Sequence, residues 1–133
     1  MGEQMWAVIV EEDQPLKIGT TEKPVCGDND VLVEVMTAGL NRADLVQRRG
    51  LYPPPPGASH IMGLECAGTI VARGAAVTDW AIGDRVCGLL AGGGYAEFAA
   101  VDQGSLFKIP DAMSFEQAGA LPEVMMTVWA NIF

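Results

Sequence analysis

Glycine (16) and proline (8) punctuate the 133 residues so closely that few long regular elements fit between them. A chain divided this way favours short strands joined by turns, because both residues are poor in element interiors and good where the backbone reverses. The apolar runs agree. Met5–Val10 is rich in Val, Ile and Trp, and Leu16, Ile18 and Thr20 alternate after a turn at Asp13–Pro15. Val31–Ala38 supplies a third strand, with Glu34 and Thr37 as polar interruptions, and Ile70–Arg73 a fourth. Arg85–Leu90 follows the turn Ile82-Gly83-Asp84, Tyr95–Val101 follows the run Gly92–Gly94, and Leu106–Ile109 ends before Pro110. The pattern predicts a mainly β fold, a compact barrel or sandwich.

Two helices interrupt it. Asn41–Arg49 opens on a capping residue, carries Asp44 three residues on, and meets Gly50 just past its end. A second helix starts at Ser114, with Gln117 at the capping-box spacing, is interrupted at Pro122 and runs on to Phe133. Val124, Met125, Val128, Trp129, Ile132 and Phe133 give this last stretch a broad apolar face. Either the helix folds back on the barrel, or the chain is cut from a longer protein. Association is expected around Trp129 and Phe133.

The size suits one domain. Half the residues are hydrophobic and 19% charged, which excludes disorder for the bulk of the chain. A net charge of −9 lacks the basic side chains that displace counterions from phosphates, so no nucleic-acid partner is expected, nor an anionic membrane surface. No apolar run approaches the roughly 20 residues of a membrane span, and no secretory signal opens the chain. Three cysteines without a C-x-x-C pair read as a reduced, cytoplasmic chain, with Cys66 and Cys87 as small core residues.

Three segments carry a family likeness: Ala38-Gly39-Leu40-Asn41-Arg42-Ala43-Asp44; Gly63-Leu64-Glu65-Cys66-Ala67-Gly68, extending through Gly74 to Val77; and Ile82-Gly83-Asp84-Arg85-Val86 with Gly93-Gly94-Tyr95-Ala96-Glu97-Phe98. In order and spacing they resemble the N-terminal catalytic domain of medium-chain dehydrogenases/reductases. The segment Asn41–Asp44 and the run Tyr52–Gly57 are similar to the zinc-independent, NADPH-dependent quinone oxidoreductase branch. The resemblance implies a chaperonin-10-like, partly open β-barrel over residues 1–121, with a short helix after the third strand. Residues 122–133 would begin an interdomain helix leading into a Rossmann domain that this sequence does not contain.

The resemblance also frames the metal question. Zinc members bind the catalytic ion through a Cys and a His where this chain has Asn41 and Leu64. An amide is a poor zinc ligand and leucine is none, so no metal is expected. His60, the only histidine, reads as a surface or hydrogen-bonding residue. Ala91-Gly92-Gly93-Gly94 lies between two strands and not before a helix, so it reads as a turn and not as a dinucleotide fingerprint. NADPH would therefore be gripped mostly by the second domain.

Reducing a quinone leaves negative charge on oxygen, and the protein must donate hydrogen bonds to it. Asn41 and Tyr52 are the candidate catalytic residues. Asn41 either caps its helix or stands in the cleft near nicotinamide or quinone. Tyr52 either packs on the neighbouring prolines or donates its hydroxyl. Asn41, Met125 and Thr127 are the candidate contacts to the cofactor, Thr127 to the carboxamide. Asp44 and Glu65 stand behind them: Asp44 as helix-terminal charge or in an ion pair with Arg42, Arg48 or a partner, Glu65 as a carboxylate that must be paired or shifted. The expected activity of the intact enzyme is metal-free hydride or electron transfer from NADPH to a quinone or related conjugated carbonyl, with this fragment inactive alone and the full-length protein a homodimer. Reduction of enones or enoyl thioesters is one alternative. A free-standing, non-catalytic chaperonin-10-like binding module is another.

Overall fold

A computed structural model describes residues 2–11 and 14–133, so part of the turn expected at Asp13–Pro15 lies outside the described residues. Strands β1 (Gln4–Ile9) and β2 (Lys17–Glu22) form an antiparallel ribbon. Strands β3 (Asp30–Ala38), β4 (Glu65–Arg73), β5 (Arg85–Leu89), β6 (Phe98–Asp102) and β7 (Leu106–Lys108) form an antiparallel sheet in the order β6-β3-β4-β5-β7. Its two edge strands are consecutive in the chain, joined only by the 3-10 turn Gln103–Ser105. Three residues cannot span a flat five-stranded sheet, whose outer strands would stand roughly 19 Å apart, so the sheet must curl. Ribbon and sheet stay unclosed, as a partly open barrel does.

β-Branched side chains fill the concave face, as a strand-built core favours. Val31, Val33, Ile70, Val86 and Val101 are almost wholly buried, each stabilising the fold by about 1.5–3 kcal/mol. On the opposite face Ala67, Cys87 and Ile109 pack with Ala118 of helix α2 (Phe115–Ala118). Ser114 caps α2, with Gln117 closing the capping box as its spacing predicts. Helix α1 (Arg42–Arg48) follows β3, and helix α3 (Pro122–Ile132) starts with proline in its first turn, where no hydrogen bond is lost.

Two strand starts differ from expectation by three residues or more, and the other boundaries by two at most. β4 begins at Glu65, five residues before Ile70. Its first half, Cys66-Ala67-Gly68, is buried on both faces because Cys66 packs into the main core and Ala67 against α2, so it lacks the alternation of a half-exposed strand. β6 begins at Phe98 and not at Tyr95. Residues Tyr95–Glu97 instead stitch the ribbon to the sheet: Val8 N–H donates to Tyr95 O, Glu97 N–H to Trp6 O, and Val35 N–H to Glu97 O.

The apolar face of α3 does not fold back on the sheets. Val124, Met125, Val128, Trp129, Ile132 and Phe133 are all exposed, with the Trp129 and Phe133 rings stacked 5.0 Å apart. Among the described residues no helix is long and apolar enough to cross a membrane.

Candidate functional site

Among the described residues two carboxylates are buried, Asp44 and Glu65, and both attach to Asn41. Burying a carboxylate is tolerated only where donors replace its water, and the chain brings four. Asn41 N–H donates to Asp44 Oδ2 at 2.7 Å, and Asn41 Nδ2 donates to Glu65 Oε1 at 2.9 Å. The Tyr95 hydroxyl donates to Asp44 Oδ2 at 2.6 Å and lies 3.0 Å from the Gly39 carbonyl. Glu123 N–H, in the first turn of α3, donates to Glu65 Oε2 at 2.9 Å. The result is a continuous chain of contacts from Tyr95 through Asp44, Asn41 and Glu65 to α3.

Each position follows from local structure. Asn41 is extended (φ −122°, ψ 154°) at the N-cap of α1. The Asp44 carboxylate reaches back to the Asn41 N–H, as the capping-box spacing allows. Glu65 opens β4, and Gly39 faces it. A Cβ at position 39 would come within 2.6 Å of Glu65 Cδ and 2.8 Å of Cγ, so glycine is what makes room for the carboxylate. Asp44 Oδ1 is buried with no partner among the described residues.

The structure brings Asn41, Asp44 and Glu65 together. It does not join Tyr52, Met125 or Thr127 to them by a hydrogen bond. Tyr52 lies on the loop after α1, about half exposed (48%). Met125 is exposed on α3, and the Thr127 hydroxyl donates to Glu123 Oε1 at 3.3 Å. The ion pair considered between Asp44 and Arg42 or Arg48 does not form. Among the described residues the ion pairs are Lys17–Glu11 and Lys23–Glu3 on the surface. Asp44 is drawn inward because Tyr95 offers a buried donor, which a surface guanidinium cannot match.

Tyr95 is the residue that sequence reasoning missed. Its signal was present, since a tyrosine hydroxyl drawn into a core needs a polar partner. The alternation that placed it in a strand concealed it. Burial, followed by the Asp44 carboxylate, pushes its hydroxyl well above the usual tyrosine range.

The cysteines carry no nucleophile. Burial pushes the Cys66 thiol up to about 12, and also raises Cys87 and, with help from Asp30, Cys26. At pH 8 the Cys66 thiol is then almost wholly protonated. Ellman's reagent is expected to react slowly with the native chain and to titrate all three free thiols only on unfolding; rapid labelling of Cys66 in the native state would contradict the burial.

The glycine run is structural. The N–H groups of Gly93, Gly94 and Tyr95 donate to the carbonyls of Ile61, Gly63 and Met62, so these three are not left to cradle a phosphate. His60 is exposed and lines, with Ser59 and Lys23, a cavity of about 690 Å³ that none of the site residues above borders. Asn41 has spent one amide hydrogen on Glu65 and Leu64 has no donor atom, so the two positions do not fit a zinc ion. Among the described residues no three His, Cys, Asp or Glu side chains converge as metal ligands.

Residues 27–111 match the family described as the alcohol dehydrogenase GroES-like domain. The chain is 40% identical over 111 residues to the synaptic vesicle membrane protein VAT-1 homolog of Danio rerio, covering 84% of this chain and 23% of that protein. The solved structure of the quinone oxidoreductase from Coxiella burnetii superposes with a TM-score of 0.85 at 25% identity, covering 96% of this chain and 44% of that one. The CurK enoyl reductase superposes at 0.86 with 29% identity, covering 98% of this chain and 42% of that one. The chain thus spans less than half the length of each.

Proposed function

Because the chain belongs to the alcohol dehydrogenase GroES-like domain family, the N-terminal catalytic domain of medium-chain dehydrogenases/reductases, we propose that it is the substrate side of an NADPH-dependent quinone oxidoreductase. The observation that carries this reading is Asn41. It stands where zinc relatives place a cysteine ligand, and it offers an uncharged amide held by a buried carboxylate. NADPH supplies the reducing equivalent as hydride or electrons when bound. The protein's part is to hold donors where negative charge develops on oxygen. Asn41 keeps one Nδ2 hydrogen free for this, and Tyr52, half exposed on a proline-stiffened loop, brings a hydroxyl with no internal partner among the described hydrogen bonds. Met125 and Thr127 on α3 face the nicotinamide in this reading, and Thr127 can turn its hydroxyl from Glu123 to the carboxamide. The reaction needs no metal in this reading. The free thiols suit the reducing cytoplasm, and pairing into a homodimer belongs to the whole protein.

The test is NADPH oxidation against a quinone panel by the protein expressed from its full natural reading frame. Asn41→Ala is expected to lower kcat by about 10²-fold, as for loss of one preorganised donor. Tyr52→Phe should cost about tenfold, because a half-exposed hydroxyl is partly replaced by water. Full activity in both variants would sink the assignment. The likeness to the CurK enoyl reductase favours a second reading, reduction of an α,β-unsaturated thioester by the same donors. Turnover of enoyl thioesters with inert quinones would select it.

A further inference from the structure

The amide of asparagine has two chemically opposite ends of nearly equal size, so a catalytic asparagine needs something to tell its donor end from its acceptor end. Here one neighbour can do this. Glu65 Oε1 lies 2.9 Å from Asn41 Nδ2, and an ionised carboxylate only accepts, so the NH₂ end must face it. The reverse orientation would set two oxygens against each other inside a protein interior, where Glu65 is 2% exposed. The carboxylate cannot itself turn away. Its second oxygen accepts from Glu123 N–H at 2.9 Å, and the space it occupies exists because position 39 has no side chain. Asp44 fixes the same residue from the other side, through the Asn41 backbone N–H.

We infer that Glu65 is a positioning residue: its carboxylate sets the polarity of the Asn41 amide and ties that setting to the first turn of α3. One Nδ2 hydrogen goes to Glu65, and the other is left for a bound molecule. Because both oxygens of one carboxylate are engaged, a displacement of α3 pulls on Asn41 through a single rigid group. Its catalytic consequence rests on the function proposed above; the geometry of the amide does not.

The experiment follows the Asn41 side-chain NH₂ pair by ¹H–¹⁵N correlation spectroscopy on this chain, with the exposed Asn29 pair as internal reference and Asn41→Ser for assignment. In the native chain one Asn41 Nδ2 proton is expected well downfield of the Asn29 pair, and the Glu123 backbone N–H downfield with it. Glu65→Gln leaves one acceptor oxygen for two donors; with Glu123 N–H keeping that oxygen, the new NH₂ end faces Asn41, which turns over and loses the shift. Glu123→Ala keeps the backbone donor and should leave the shift in place. A native Asn41 pair at the Asn29 position would overturn the inference, whether or not any variant folds. So would a downfield proton that survives in Glu65→Gln. In the protein from its full reading frame, Glu65→Gln is expected to lower kcat about tenfold with little change in KM. An unchanged kcat beside a large loss in Asn41→Ala would also overturn it. If the wild type reduces no quinone or enoyl thioester, the functional reading fails while the spectroscopic test still decides the role of Glu65.

Discussion

Gly68→Ala is expected to be the most damaging single-methyl change in the sheet, costing at least about 3 kcal/mol or preventing folding. Gly68 lies in β4, where β3 crosses so closely that a Cβ would run into the Glu34 carbonyl oxygen, within 2.9 Å of the Glu34 carbonyl carbon and 2.8 Å of Val33 Cγ1. A side-chain neighbour could rotate away, but this one is strand backbone already committed to a ladder. The adjacent register shift between Val35 and Thr37 means that β3 has already bent to make the approach. Gly50→Ala is the control. Nothing lies within 4 Å of its would-be Cβ, so only the positive φ of +71° opposes alanine, at about 1–2 kcal/mol. Urea denaturation of both variants checks the contrast, and equal losses would show that the close approach of β3 is not what position 68 serves.

The second large effect is expected from Tyr95→Phe. It removes one oxygen atom from the protein and leaves Asp44 Oδ2 with a single donor, on a carboxylate whose Oδ1 is already unpartnered. A buried charge stripped of a charge-assisted hydrogen bond costs about 2–3 kcal/mol. The pH dependence has a definite sign. The fold raises the Tyr95 hydroxyl above its ordinary value, so its contribution is full below about pH 10, where an unfolded tyrosine is also neutral, and is lost as pH climbs beyond that. The deficit of Tyr95→Phe should therefore be largest at neutral pH and shrink in alkaline solution. A deficit that grows above pH 10 would exclude the Tyr95–Asp44 bond as its cause.

Local signals in the sequence carried over well. The caps at Asn41 and Ser114, the proline at the start of α3 and most strand cores stand where spacing and turn chemistry put them, because each depends on a few neighbouring residues. What was not legible depends on distant partners. The first half of β4 lay outside the expected strand Ile70–Arg73 because the strands and helix that bury it, β3, β5 and α2, stand elsewhere in the chain. Tyr95 looked like a strand residue because its partner, Asp44, is 51 positions away. The site divides in the same way. Asn41, Asp44 and Glu65 were each visible as unusual residues, but that two acids hold one asparagine between them, by its backbone and by its side chain, is a fact of tertiary structure.

The short link between β6 and β7 has a consequence for solubility. An open sheet presents two rows of unpaired backbone groups, and each can template the addition of another chain. Here both rows belong to short strands, of five and three residues, pinned within about 14 Å of each other by Gln103–Ser105. An incoming strand meets a cramped seam in place of a long flat margin. Lengthening that link would loosen both margins together, so the three residues guard the sheet against aggregation as much as they connect it.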